Sequence, residues 1–526
     1  MIGTLRLLRF LLRRERIGLP WWLLGVTLLV LVQSTQSQSL YGSPEALARL
    51  RQTIGGNTAA IAMSGPTRLL DTIGGEVVFE VFAFVAVVVA LMNMFLVGRH
   101  TRADEESGRA ELIRSARVGR HAPLAAALAL AGLADLIVGV LVFGVAAGTG
   151  LPVTGSVLFG AALAGVGITF AALTAVAAQV FENTRAAYGA VALFLGAAYV
   201  LRAAGDVSTD GSLSWASPIG WGQRTFPYAG DRWWPVLLPL GVCVLLGAAA
   251  VVLLARRDFG AGLVSPRPGR ASASAWLRSG YGLAWRLQRG ALAGWAVGIG
   301  LLGVAYGSIG DSIEQYVRDN PQIADFLPGG AADIVNSYLA LTVGLSALLT
   351  AAYGVTSTLR IRAEETSGRA EPVLAAATSR LTWLAGQLSV ALAGSALMLA
   401  AFGLGEGVAY GMTVSDAGQV PRLIGVALGY LPAVWLIIAV TVLVLGWVPR
   451  SAAALAWVVV AYCAVVALFA DSLDLPGWTK RASPFAHTPR VPLEDLAVTP
   501  LLVIALLAAT LVAAGYAGLR RRDIGY

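Results

Sequence analysis

Runs of about twenty consecutive apolar residues recur along almost the whole of this 526-residue chain, and a hydrocarbon layer about 30 Å thick is crossed by about 20 helical residues. Twelve runs reach that length, among them 21–38, 77–97, 122–147, 338–359, 381–404, 423–447, 451–470 and 497–519. They are too long and too uniformly apolar for the alternating strands of a membrane barrel. The expected fold class is therefore an all-α polytopic membrane protein with twelve transmembrane helices. Charged residues make up 13% of the chain, about half the share usual in soluble domains.

Arginine is concentrated before the first run, after the last, and in alternate connections between them, whereas the intervening connections are net acidic. Basic residues gather on the cytoplasmic side of membrane proteins, which predicts an N-in, C-in topology in the cell membrane. The pI of 9.7 thus reads as orientation, and no nucleic-acid partner is expected. The opening MIGTLRLLRFLLRRERIGLPWW interleaves arginine with leucine and leads to no small-residue cleavage site. It reads as an amphipathic helix on the inner membrane face, with Trp21 and Trp22 at the interface. Cys243 and Cys463 each stand alone in an apolar run and read as buried small hydrophobes, with neither a disulfide nor a metal role.

The chain repeats itself. RADEESGRAE at 102–111 returns, with eight of ten residues identical, as RAEETSGRAE at 362–371. ASP at 216–218 returns at 482–484, and RRDFG at 256–260 returns as RRDIG at 521–525. Each half therefore holds six spans, and an even number makes the two halves parallel-oriented repeats. The expected domains are an amphipathic lead-in helix at 1–20, a first half at 21–260, a cytoplasmic linker with a second lead-in helix at 261–289, and a second half at 290–526. Outer regions at about 39–76, 205–234, 310–337 and 471–496 are too long for simple turns; packed short helices and plain connecting loops are both open there.

Both decapeptides follow the second span of their half, on the cytoplasmic side of this topology. Ser107-Gly108 and Ser367-Gly368 are poor helix-interior pairs, and serine is a good N-cap. A break there predicts a short helix over RAELIRSA in one half and RAEPVLAAA in the other, with Pro372 in its first turn. Before the break Arg102 can reach Glu105 or Glu106, and Arg362 can reach Glu365. In a solvated turn such pairs contribute only about 0–1 kcal/mol each, so duplication of this charge order favours a docking surface for a soluble partner. The only lysine is Lys480, which excludes a P-loop, and His100, His121 and His487 form no zinc-protease motif. His100 and His121 flank the first decapeptide and read as interface residues.

The order E-E-x-S-G-R-x-E after the second span of each six-span half resembles the membrane subunits of type 2 ABC exporters, in particular the duplicated actinobacterial permeases of the polyketide antibiotic, tetronasin-type efflux branch. The resemblance covers the whole chain in architecture, and at motif level the decapeptides with the weaker ASP and RRD landmarks. It implies coupling helices that dock two copies of a separate ATPase, carried by Glu105, Glu106, Gly108, Arg109 and Glu111, and by Glu364, Glu365, Gly368, Arg369 and Glu371. ATP and Mg2+ would be bound by those partners and no cofactor by this chain. Glu106 against Thr366 and Leu112 against Pro372 leave the equivalence of the two sites open. Substrates would be hydrophobic or amphipathic. The alternative is a proton-coupled transporter of the major facilitator type, whose loop reads G-x-x-x-D-R-x-G-R-[RK]; here acidic residues surround the S-G-R. A passive receptor would leave the duplication without a reason.

Four polar residues inside the spans are candidates for a substrate path: Asp135, Asn93, Gln387 and Glu406. An intramembrane carboxylate costs about 2.5 kcal/mol or more at mid-depth. Asp135 has no charged counterpart in the repeat, where Ser395 stands, so lining a path, carrying a proton and pairing with an unidentified arginine are all open. Glu406 is expected to reach the outer interface, and Asn93 and Gln387 to bond between helices.

Overall fold

The computed structural model describes residues 2–55, 57–208, 210–264, 271–310, 334–376, 378–469, 476–494 and 497–523. Most of the outer region expected at 310–337, part of that at 471–496 and part of the linker expected at 261–289 lie outside the described residues. The chain forms two compact units, Met1–Gly269 and Arg270–Tyr526. Among the described residues both are helical, and the only β feature is an isolated bridge between Phe181 and Val264.

The first unit runs α1 (Thr4–Glu15), α2 (Gly18–Tyr41), α3 (Pro44–Gly55), α4 (Thr58–Ser64), α5 (Ile73–Arg99), α6 (Arg102–Glu106), α7 (Arg109–Arg114), α8 (Ala122–Gly148), α9 (Val153–Val180), α10 (Thr184–Val207), α11 (Pro218–Gln223) and α12 (Leu237–Arg256). Helix α5 starts where the Thr72 hydroxyl accepts the Gly75 amide at 3.0 Å. It is apolar on every side, and a helix of that kind belongs in a core. Its partner is α9, with Phe82 and Phe159 meeting at 6.1 Å between ring centroids. Around this pair stand α2, α8, α10 and α12, which carry exposed Leu136, Leu193 and Val244. Apolar surface of that extent is lipid-facing.

The long segments expected to be outer, 39–76 and 205–234, pack as short helices among the described residues. The Tyr228 ring fills the space left by Gly74 and Gly155, and its hydroxyl meets Ser156 at 2.9 Å. Gln223 donates to the Ser64 carbonyl at 2.6 Å. The repeated ASP marks helix starts: Ser217 caps α11 ahead of Pro218, and Ser483-Pro484 opens a 3-10 helix, Pro484–His487.

The second unit runs α13 (Gly280–Gly307), α14 (Ile334–Thr366), α15 (Ala370–Ala375), α16 (Arg380–Thr413), α17 (Gln419–Leu428), α18 (Leu431–Trp447), α19 (Ala452–Phe469), α20 (Gly477–Ala482) and α21 (Val498–Arg521). The expected second lead-in helix is not a separate element here, because α13 runs unbroken from Gly280 into its span. In the first unit Pro20 lies in the first turn of α2 and forces a restart after α1; no proline occupies α13. The expected span 423–447 is broken at Gly429–Tyr430, with Pro432 in the first turn of α18. Counting α17 and α18 as one, eleven helices among the described residues are long and apolar enough to cross a membrane. The run expected at 451–470 forms the shorter α19.

Glycine sets the closest helix crossings. A Cβ on Gly446 would collide with the Gly515 carbonyl, and one on Gly515 would lie 2.6 Å from the Val442 carbonyl oxygen, so α18 and α21 touch backbone to backbone. Gly515→Val should therefore lower the thermal midpoint of the purified protein by an amount equivalent to about 1–3 kcal/mol. Gly425→Ala, where nothing lies within 4 Å of the added atom, should leave it unchanged in the same melting assay.

Candidate functional site

After α5 the chain turns through His100 and Thr101 into α6, breaks at Ser107-Gly108, and resumes as α7. The break belongs to glycine. Gly108 has φ +74° and Gly368 φ +70°, a region that residues with a Cβ avoid. The expected serine N-cap is not made. Ser107 turns back to the Asp104 carbonyl and Ser367 to that of Ala363 at 2.7 Å, so each hydroxyl closes the preceding helix.

Both expected ion pairs of the decapeptides form, and they are buried. Arg102, 1% exposed, donates to Glu105 at 2.8 Å, and the other Glu105 oxygen accepts from Arg257 at 2.5 Å. Arg102 also donates to the carbonyls of Glu182, Gly260 and Ala261, and Arg257 to Gln179 at 2.8 Å. In the second unit Arg362 reaches Glu365 at 3.2 Å and Arg522 reaches it at 2.6 Å. A carboxylate can leave water here because two guanidiniums satisfy it. Arg257 and Arg522 are the second arginines of the two RRD landmarks, so the repeated motifs of each half bind each other.

A second pair of arginines does the same work. Arg120 donates to the carbonyls of Leu254 and Arg257 at 2.9 Å, and Arg380 to those of Leu519, Arg520 and Arg522 at 3.2, 3.2 and 2.8 Å. Each cation caps the C-terminal carbonyls of the last helix in its unit.

This geometry divides the ten expected docking residues. Glu105, Glu364 and Glu365 turn inward; Glu364 holds Arg360 at 3.4 Å and Arg369 at 3.1 Å. Arg109, Glu111, Gly368, Arg369 and Glu371 are exposed, as are Leu112 and Pro372, while Gly108 is half-buried. Glu106 is exposed but anchored, accepting from the Thr184 amide at 2.9 Å and hydroxyl at 2.5 Å at the head of α10. Its counterpart Thr366 bonds back to the Arg362 carbonyl at 3.0 Å instead, so only the first copy is tied to a neighbouring helix this way.

Helix α1 completes the first copy. Arg14 donates to Asp104 at 2.7 Å, and Glu15 accepts from His100 at 2.8 Å and Arg99 at 2.9 Å. His100 is thus an internal strut and not the surface residue expected. Its hydrogen bond, aided by the charge of Arg99 and opposed by burial, holds the Glu15 carboxyl below the usual carboxylate range. At the other end of α1 the Ile2 carbonyl accepts from the Gly119 amide at 3.0 Å, just past α7. A cavity of about 210 Å³ lies behind α7, between Ile113, Arg114, Arg120 and Phe259.

Within the helices, Asn93 donates to Asp135 at 2.7 Å where α5 and α8 meet Gly167 of α9. The partner of Asp135 is this amide and not an arginine. Gln387 accepts from Gln288 at 2.8 Å, which also holds Ser357. Glu406 does not reach an interface: it is 0% exposed and accepts from Thr342 at 2.5 Å, because α13 packs on its backbone through Gly303 and Gly307. Asn93 and Asp135 therefore share one place, whereas Gln387 and Glu406 stand apart along α16. Glu76, in the first turn of α5, drew no reading from the sequence; it is 1% exposed with one oxygen unpartnered among the described residues.

Apolar helices of membrane-crossing length, joined by charged segments with exposed faces, define a polytopic membrane permease, and the chain belongs to the multidrug efflux system permeases. It is 41% identical over 527 residues to the multidrug efflux system permease protein Rv1217c of Mycobacterium tuberculosis, covering 99% of this chain and 95% of that relative. The sequence profile described as Multidrug efflux system permease Rv1217c, C-terminal domain, matches residues 277–520.

Two outcomes follow from the buried pairs. Glu365→Ala leaves Arg362 and Arg522 without their shared carboxylate and should destabilise the protein by about 3–5 kcal/mol, read by denaturant or thermal unfolding; Glu371→Ala, on the exposed face, should stay within about 0.5 kcal/mol. Glu15 has its carboxyl held low in the folded protein, so its contribution is present above the ordinary carboxylate range and lost as pH falls through its lowered value. Proteolysis between α1 and α2 should accelerate in that acidic window, and Glu15→Gln should show the fast rate at neutral pH.

Proposed function

We propose that this permease is the membrane subunit of an ATP-driven exporter of the ABC type, in which α7 and α15 are coupling helices that receive two copies of a separate ATPase. The carrying observation is that both units hold the same short helix against a buried arginine–glutamate–arginine clamp, with its charged face left exposed. A rigid mount with a free face suits a part that takes force from a partner. The cavity behind α7 gives that helix room to shift.

In this reading α19 also crosses the bilayer, making twelve spans in two parallel six-helix halves bounded at 21–260 and 290–526, with the linker at 261–289 and both termini cytoplasmic. Arg109, Glu111, Arg369 and Glu371 meet the ATPase, while Glu105, Glu364 and Glu365 position the helices that carry them, and Glu106 makes the first site stiffer than the second. ATP and Mg2+ belong to the partner. The name of the mycobacterial relative supports multidrug cargo, and the apolar helices favour hydrophobic or amphipathic compounds, polyketide antibiotics among them, entering from the inner leaflet. Asp135 with Asn93 is the first place to seek cargo contact.

Vesicles containing the chain and its ATPase should export a hydrophobic fluorescent drug only with ATP. Glu111→Arg with Glu371→Arg should cut ATP-driven transport by about tenfold without moving the thermal midpoint. Transport by the chain alone, driven by a pH gradient, would establish the proton-coupled alternative instead.

A further inference from the structure

The geometry points to α1 as a binding surface for anionic phospholipid headgroups, through which the lipid surface sets the position of the first short helix, α7. Arg6, Arg9, Arg13 and Arg16 recur at helical spacing and all four are exposed. None makes an ion pair or hydrogen bond among the described residues. Ile2, Leu5, Phe10 and Ile17 flank this stripe and are 76%, 73%, 49% and 68% exposed. The single acid of the helix, Glu15, is 4% exposed and points the other way. A basic stripe bordered by apolar side chains is what an anionic bilayer surface attracts, each arginine near it being worth about fivefold in binding.

The opposite face of α1 is fixed to the decapeptide segment at both ends. Arg14, Glu15 and their partners Asp104, His100 and Arg99 lie before α7, and the Ile2–Gly119 bond lies after it. Lipid that holds α1 therefore holds the frame in which α7 sits. Among the described residues the second unit shows no such stripe: residues 271–279 carry Arg278 alone, and α13 carries Arg286 and Arg289. Regulation by anionic lipid would then act on one of the two docking helices. Its importance for transport rests on the proposed docking role, but the lipid contact does not.

The test uses the full chain in nanodiscs, with Cys243 and Cys463 replaced by serine and a fluorophore on a cysteine at Leu5. Brominated phosphatidylglycerol should quench the fluorophore at least about twofold more than brominated phosphatidylcholine. R6Q/R9Q/R13Q/R16Q should abolish the difference, and R6K/R9K/R13K/R16K should keep it. Equal quenching by both lipids in the parent protein would overturn the proposal. A spin label at Leu112 reads α7 without any ATPase: it should be less mobile in anionic than in neutral discs, and only with the arginines or lysines present. A label indifferent to lipid would overturn the link from α1 to α7, and this readout stands even if no ATPase docks there.

Discussion

A carboxylate held between two guanidiniums, where the end of one long helix (α5–α6 or α14) meets the end of the last helix of its unit (α12 or α21), is the interaction on which the rest of this permease depends. Glu105 and Glu365 are the carboxylates, and each lies 150 or more residues from one of its arginines, Arg257 or Arg522. Apolar side chains cannot fix these helix ends, since lipid tails are as apolar as leucine and give helices no hydrophobic reason to choose one neighbour over another. Charge does it instead. An unpaired partner left in so dry a place is costly, so the arrangement tolerates few alternatives.

The clamp also explains why the chain repeats particular short motifs and lets the apolar helices drift. A transmembrane helix needs volume and small-residue contacts, which many sequences supply. The Arg–Glu–Arg set needs a guanidinium fork at fixed reach, and a glycine at positive φ to turn the chain just beyond it. What differs between the halves, Glu106 against Thr366 and the broken α1–α2 against the unbroken α13, alters the supports of the short helix and leaves the clamp intact.

Eleven of the expected spans were legible in the sequence because length and hydropathy alone mark such helices, and the turn at Ser-Gly because glycine breaks helices for a local reason. The inward direction of Glu105 and Glu365 was not legible: one decapeptide looks the same whether its acids face water or a distant arginine. A signal did exist. The RRD landmarks recur at nearly the decapeptide offset, and Arg120 and Arg380 recur at that same offset, so motifs repeating in step were candidates for contact. Burial of Glu76 and Glu406 carried no such mark, since it depends on helices packed from elsewhere in the chain. Pro20 and Pro432 were visible, but whether they bend a helix or divide it depends on packing.

The separation of Glu105 from Arg257 bears on how the protein is made. When the first decapeptide leaves the ribosome, Arg102 is its only near partner, and the guanidinium that completes the clamp is still about four spans from synthesis. Each half thus carries an open electrostatic contact through most of its insertion and closes it only when its last helix arrives. The helix end that closes the clamp also receives Arg120 or Arg380 on its carbonyls. A half cut short before that helix would not be a smaller version of the fold; its glutamate would keep one guanidinium and lack the other.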